Sequence, residues 1–326
     1  MGLEVLGANL GNYPRPPDLR RAIDLFRRGE LSKEGLNGKA LECTNRVIRL
    51  QELAGLKVVT SGMLLWDDLV TRIMGELEGV ELNGLLRFFD NNFYYRVPVV
   101  KRPLRRRGPI TLDEYREAGK MAKAHLKAVL PGPLTLTYLS KNEYYSRLED
   151  LLEDVSKILK DEVRSLSGLG IEYLQIDEPI LVEDEVKDEH IKLGAELLKE
   201  IVAATPFKVI VATYFGCIST ERYLAMLDAG VDLIGLDLVS CRRIASYAFE
   251  YGGGRRGLSL GVIDARNTRL EKVEEVLRVA MEFVDRIGMK ELHLTPNAWL
   301  DYIPYERAFL KLKVLGEVVK AMEVKG

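Results

Sequence analysis

The sequence predicts an α/β fold, a (β/α)8 TIM barrel with a helix and hairpin segment inserted after strand two. Three observations carry that expectation. Short apolar or β-branched runs alternate with longer amphipathic stretches, the runs number eight, and one of them ends on adjacent carboxylates just before a proline. In a parallel α/β protein, the carboxyl ends of the strands form the functional face.

The expected strands are Leu3–Ala8, Lys57–Ser61, Leu126–Leu130, Tyr173–Ile176, Lys208–Thr213, Leu233–Asp237, Leu258–Val262 and Glu291–Thr295. Apolar residues recur every three to four positions in Asp113–Ala128, Tyr144–Leu169, Ile191–Ala204, Thr220–Ala229, Leu270–Ile287 and Tyr305–Val324. That spacing suits a ring of helices packed around a barrel. No Ser/Gly linker divides the chain, so residues 1–326 read as one barrel. The stretch from about 62 to 109 is too long for a βα connection. It reads as an insertion over the mouth, helix-like over Leu64–Leu86 and strand-like over Phe88–Val100.

Composition narrows the function classes. A net charge of −2 argues against nucleic-acid binding. No apolar run is long enough to span a membrane, and Met1-Gly2-Leu3-Glu4-Val5 lacks a signal pattern, so the chain reads as cytoplasmic. Gln occurs only as Gln51 and Gln175 while 29% of residues are charged, a bias that suits a thermophile. Cys43, Cys217 and Cys241 are widely spaced and read as core thiols; no Cys-x-x-Cys pair or disulfide framework is evident. Cys217, just beyond a strand end, is also weighed as a reactive thiol, but no neighbouring His offers a base.

The most informative segment is Gly170-Ile171-Glu172-Tyr173-Leu174-Gln175-Ile176-Asp177-Glu178-Pro179. Strand alternation sends Asp177 and Glu178 opposite ways, so one lines the barrel while the other faces the helices. With Asp237 and Asp264, also at strand ends, they are candidates for acid/base chemistry. The plainer reading is a loop-capping Asp and a solvated Glu.

Three further segments point to a ligand. In Gly11-Asn12-Tyr13-Pro14-Arg15-Pro16-Pro17-Asp18-Leu19-Arg20-Arg21, prolines stiffen a loop at the mouth, Asp18 is placed to cap the next helix, and Arg15 and Arg20 supply guanidinium forks suited to carboxylates or phosphates. Arg87-Phe88-Phe89-Asp90-Asn91-Asn92-Phe93-Tyr94-Tyr95-Arg96 offers aromatics and amides that could stack and edge-bond a flat heterocycle, or equally pack a hairpin. The run Lys101, Arg102, Arg105, Arg106 and Arg107 reads as a solvated basic loop or a site for an anionic tail or acidic partner.

Taken in order, Tyr13-Pro14-Arg15, Phe89-Asp90-Asn91-Asn92-Phe93-Tyr94-Tyr95, Gly132-Pro133-Leu134-Thr135, Gln175-Ile176-Asp177-Glu178-Pro179, Ala212-Thr213-Tyr214-Phe215-Gly216, Gly261-Val262-Ile263-Asp264-Ala265-Arg266-Asn267 and Leu294-Thr295-Pro296-Asn297 resemble the amino-terminal half of cobalamin-independent methionine synthase. The resemblance runs from end to end. It implies a barrel that binds methyltetrahydrofolate polyglutamate and pairs with a separate zinc-bearing carboxy-terminal barrel, where homocysteine is methylated. Arg20 and Arg87 fall at the family's basic residues for the folate loop and glutamate tail, and Asn91, Asn92 and Tyr94 fall within its aromatic signature, with Asn91 and Tyr94 departing from the usual Thr and His. Pro17 replaces an Arg of the family's loop.

The resemblance also implies no metal and no cofactor in this chain. Where the related zinc barrel has its His-x-Cys pair, Glu and later Cys, this sequence has Tyr214, Gly216, Asp237 and Ala298. The implied protein is a folate-binding component, inactive alone, whose Arg15, Arg20 and Arg87 hold the tail. The alternatives are a free-standing barrel methyltransferase or decarboxylase acting on another anionic substrate through Asp177, and a scaffold that has lost folate affinity.

Overall fold

Eleven strands run in chain order through the computed structural model, which describes residues 2–324: β1 (Glu4–Gly7), β2 (Val58–Val59), β3 (Leu77–Arg87), β4 (Tyr94–Arg106), β5 (His125–Pro131), β6 (Lys141–Asn142), β7 (Ile171–Asp177), β8 (Lys208–Ala212), β9 (Leu233–Asp237), β10 (Gly257–Ile263) and β11 (Glu291–Pro296). Eight of them form one parallel sheet in the order β1-β11-β10-β9-β8-β7-β5-β2. A parallel bridge between Ala8 and Val58 joins the two ends of that order and closes the barrel. Each of the eight expected strands falls on one of these. No helix of the described residues is long and apolar enough to cross a membrane.

Alternation along the strands sorts the core. Leu6, Ala8, Val58, Tyr173, Ile210 and Leu233 form a small cluster inside the barrel, while their sequence neighbours Val59, Leu174, Val209 and Ile234 join the larger core under the helices. At the amino-terminal end of the strands, Glu291 is buried and gathers Tyr173 Oη at 2.6 Å, His293 Nε2 at 2.8 Å and Arg256 Nε at 2.7 Å. Residues at this end of a barrel serve stability.

The insertion differs from its expectation. Leu64–Leu86 is not helical beyond one turn at Thr71–Met74; β3 takes over at Leu77 and pairs antiparallel with β4 in a three-stranded sheet, β3-β4-β6. Gly79 and Gly84 stand at the two irregularities of β3 with φ of 91° and 63°, the left-handed backbone that glycine adopts without strain. One residue is unmatched in β3 at Gly84 and three in β4 opposite Gly79, so the register breaks twice. Leu77, Leu82, Leu85 and Leu86 therefore mimic a helical spacing in a strand.

Two smaller expectations also change. The helix anticipated over Asp113–Ala128 ends at Met121, where Ala122 turns extended to feed β5. Asp18 does not cap the helix Pro17–Arg27; it lies inside the first turn, and its carboxylate accepts from Arg46 at 2.6 Å.

Candidate functional site

The floor of the mouth is built on Asp177, the last residue of β7. Its Oδ1 accepts from Gln175 Nε2 at 2.7 Å, and its Oδ2 from Tyr214 Oη at 2.9 Å and Trp299 Nε1 at 3.0 Å. Gln175 also donates to the Leu10 carbonyl at 2.9 Å and accepts from Lys127 Nζ. Lys127 and Asp177 are both fully buried. Burial pushes the Asp177 carboxyl up and the Lys127 ammonium down, and the attraction between the two opposes each shift. The carboxylate is thus spent on positioning neighbours.

Glu178 points the other way, as alternation requires, but it is not solvated. It is 3% exposed, and it accepts from the backbone N–H groups of Leu134 and Thr135 at 3.0 and 2.8 Å and from Thr135 Oγ1 at 2.6 Å, capping the helix Pro133–Tyr138 from a distance in sequence. Burial still raises it, to about 7. Asp237 is likewise consumed: it accepts from the backbone of Phe215, Val239 and Ser240 and from Asn297 Nδ2. Asp264 accepts from the Arg266 N–H and shapes that turn.

The roof is the tip of the β3–β4 hairpin. Phe88 and Phe89 meet Phe215 at 6.0 and 5.4 Å between ring centroids, and Phe93 meets Tyr302 at 4.5 Å. Arg266 lies over Phe215 at 5.5 Å and reaches Asn91 Oδ1 at 3.4 Å and Ser240 Oγ at 2.9 Å. Phe89 and Phe215, in contact here, both hold positive φ, 52° and 81°. A bulky residue keeps that backbone at a cost of about 1–3 kcal/mol, which the surrounding contacts must offset.

The residues expected to bind a ligand differ in their exposure and in how far other groups already engage them. Arg15 faces inward and is engaged: Nε donates to the Leu64 carbonyl, and one terminal nitrogen donates to the Trp66 carbonyl and pairs with Asp67 at 2.8 Å. Arg20 is exposed on the first turns of Pro17–Arg27, with no acidic partner within ion-pair distance among the described residues. Arg87 and Tyr94 pair across the hairpin, both exposed, with Arg87 also donating to the Asn91 carbonyl at 2.6 Å. Asn91 is buried in the tip and Asn92 is exposed. Of the aromatic segment, Phe88, Phe89 and Phe93 pack onto the mouth. Sequence reasoning did not single out Lys127, Trp299 or Arg266; the first two had a signal, a charged residue in an apolar strand and one of only two tryptophans.

The thiol expectation is corrected for two of the three cysteines. Cys217 and Cys241 form a disulfide with Cα atoms 5.3 Å apart, so Cys217 is no free nucleophile, and Cys43 alone is free and buried. They follow β8 and β9, which are neighbours, so parallel pairing brings together loops that the sequence separates by 24 residues.

The donors at the mouth do not suit zinc. Tyr214 is committed to Asp177, Asp237 to its four donors, and Gly216 and Ala298 offer no ligand atom. Among the described residues, one group could converge on an ion, Glu149, Glu189 and His190, but both His190 ring nitrogens are already hydrogen bonded, to Tyr138 Oη at 2.6 Å and Glu149 at 3.2 Å.

Residues 75–287 match the family profile described as the N-terminal domain of cobalamin-independent synthase. A methionine synthase of Sulfolobus acidocaldarius is 29% identical over 320 residues, covering 97% of this chain and 92% of the relative. One from Sulfurisphaera tokodaii is 30% identical over 309 residues, covering 93% and 88%. Among solved structures, a B12-independent methionine synthase from Shewanella sp. W3-18-1 in complex with selenomethionine superposes with a TM-score of 0.84 at 19% identity, covering 98% of each chain. A putative vitamin-B12 independent methionine synthase from Listeria monocytogenes gives 0.76 at 17%, covering 99% of each. At those identities the two structures speak for the barrel.

Proposed function

This chain belongs to the cobalamin-independent methionine synthase family, and on that premise we propose that it is the component that holds the methyl donor, working with a separate zinc-bearing barrel. The donor is a methyltetrahydrofolate or related pterin with an acidic polyglutamate tail, and the acceptor is homocysteine. One observation carries the reading. The positions that would ligate zinc in the related barrel hold Tyr214, Gly216, Asp237 and Ala298, while guanidinium groups remain at the surface near the mouth, on Arg20, Arg87 and Arg266.

The division of labour follows from the chemistry of each group. Activating a thiol needs a soft-ligand metal centre that lowers its pKa, and this barrel offers no such set. Holding a polycarboxylate tail needs only exposed forks of positive charge, each charge-assisted contact contributing roughly 1.5–3 kcal/mol. Asp177 and Glu178, spent on internal donors, take no acid/base part in this reading.

The test is steady-state methylation of homocysteine with both barrels present, comparing donors with one and three glutamates. Arg20→Ala and Arg87→Ala should raise the KM of the longer donor by about 10- to 100-fold each with kcat nearly unchanged. Unchanged KM in both variants would reduce the chain to a scaffold. The relatives named methionine synthase are covered to 92% and 88% of their own length, which favours one second reading, a barrel that turns over alone.

A further inference from the structure

The residues that receive the tip of the hairpin sit beside the two halves of the disulfide. Phe215, on which Phe88 and Phe89 rest, precedes Cys217 by two residues, and Ser240, which accepts from Arg266, directly precedes Cys241. Arg266 in turn lies over Phe215 and reaches Asn91 in the tip. The bond thus braces both halves of one platform, made by the loops that follow the neighbouring strands β8 and β9. Other anchors of the first loop do not depend on it: the Phe215 N–H donates to Asp237 at 3.0 Å, and Ile218 is buried. Beside them the backbone is strained, since Phe215 and Phe89, packed ring against ring, are two of the three non-glycine residues with positive φ among the described residues.

We propose that the Cys217–Cys241 disulfide is a redox-sensitive latch that sets whether the hairpin tip stays docked over the barrel mouth, whichever ligand that mouth takes. Cys217 is half-buried and Cys241 buried, so a dithiol reductant meets Cys217 first. Its thiolate attacks Cys217 Sγ, the S–S bond breaks, and Cys241 leaves as a thiolate that takes up a proton. The second thiol of the reductant then displaces Cys217, which is protonated likewise, and closes the reductant's own disulfide. Two electrons and two protons pass to the chain, and a small-molecule disulfide reverses the exchange. With the bond open, Phe215 can leave its left-handed backbone, and the contacts of Phe88 and Phe89 go with it. Phe93 rests on Tyr302, beyond β11, so the tip lifts from one side. A disulfide that served only as a staple would restrict the unfolded chain and leave the folded tip alike in both states.

The experiment is hydrogen exchange by mass spectrometry on the full chain without ligand, oxidised and after treatment with dithiothreitol, with free thiols counted under native conditions. On reduction the amides of residues 87–95 should exchange about tenfold faster, while the strands β7, β8 and β9 keep their protection. The double variant Cys217→Ser with Cys241→Ser should match the reduced chain and ignore the reductant. Phe215→Ala should free the tip with the disulfide intact. Equal exchange of the tip in both redox states would overturn the latch and leave a staple, as would a bond that opens only in denaturant. Faster exchange throughout the barrel would signal loss of the fold instead of release of the tip, and would overturn it equally. A tip still protected in Phe215→Ala would remove the platform on which the latch depends.

Discussion

Trp299 donates its indole N–H to Asp177 across the barrel mouth, at 3.0 Å, and the approach depends on Gly11, where a Cβ would overlap the same nitrogen. The pair ties the loop after β11 to the end of β7, with the loop after β1 pressed against both.

Loss of that tie should be read as stability. Trp299→Phe removes one donor to a buried carboxylate and is expected to cost roughly 1.5–3 kcal/mol in denaturant unfolding. Asp177→Asn, which leaves the Lys127 ammonium buried without its counter-charge, should cost more, about 3–5 kcal/mol. A catalytic Asp177 would instead give a stable, inactive variant.

Glu178 predicts a pH dependence of known sign. Burial raises its carboxyl from 4.5 to about 7, so the folded state holds a proton that the unfolded chain releases. Its contribution is fully present below pH 4.5 and is lost as pH rises through about 7. Asp301, half-buried and raised to about 7 by desolvation, adds in the same direction. Glu178→Gln should remove its share: the stability gap between wild type and variant should shift by roughly 2–3 kcal/mol across that window in urea melts.

Glu291 has the opposite sign. Burial alone would raise it, but His293, Tyr173 and Arg256 outweigh burial and hold it well below the ordinary carboxylate range. Its stabilisation is present above pH 4.5, the ordinary value, and is lost as pH falls below it. Glu291→Gln should destabilise the barrel by about 3–5 kcal/mol at pH 7 and flatten the acid limb of the unfolding curve.

The eight barrel strands were legible because each is a short apolar run, and so was the opposite facing of Asp177 and Glu178, since period two needs no tertiary knowledge. The hairpin was half legible. Its aromatic tip announced itself, but the bulges at Gly79 and Gly84 broke the alternation that marks a strand and left a leucine spacing that imitates a helix. The burial of Glu178 could not be read, because its donors on Leu134 and Thr135 lie more than forty residues away. Arg15 looked like a ligand group from its place beside the mouth; only the fold shows it turned to the carbonyls of Leu64 and Trp66. The Cys217–Cys241 pairing depended on which strands are neighbours, which spacing alone does not tell.

That disulfide closes a loop of 24 residues and should add about 3 kcal/mol by restricting the unfolded chain. Reduction, or Cys217→Ser, is expected to lower the melting temperature by several degrees while leaving the barrel folded by circular dichroism. Identical melting with and without a strong reductant would deny the bond.

We propose that this barrel holds the donor and leaves the sulfur chemistry to another. This is tested most directly by homocysteine methylation with a triglutamate donor, at fixed zinc-bearing barrel and increasing amounts of this chain. The chain alone should give no turnover, and the rate should saturate as the chain is added. Enzyme-like turnover by the chain alone, or a partner rate indifferent to its presence, would contradict it.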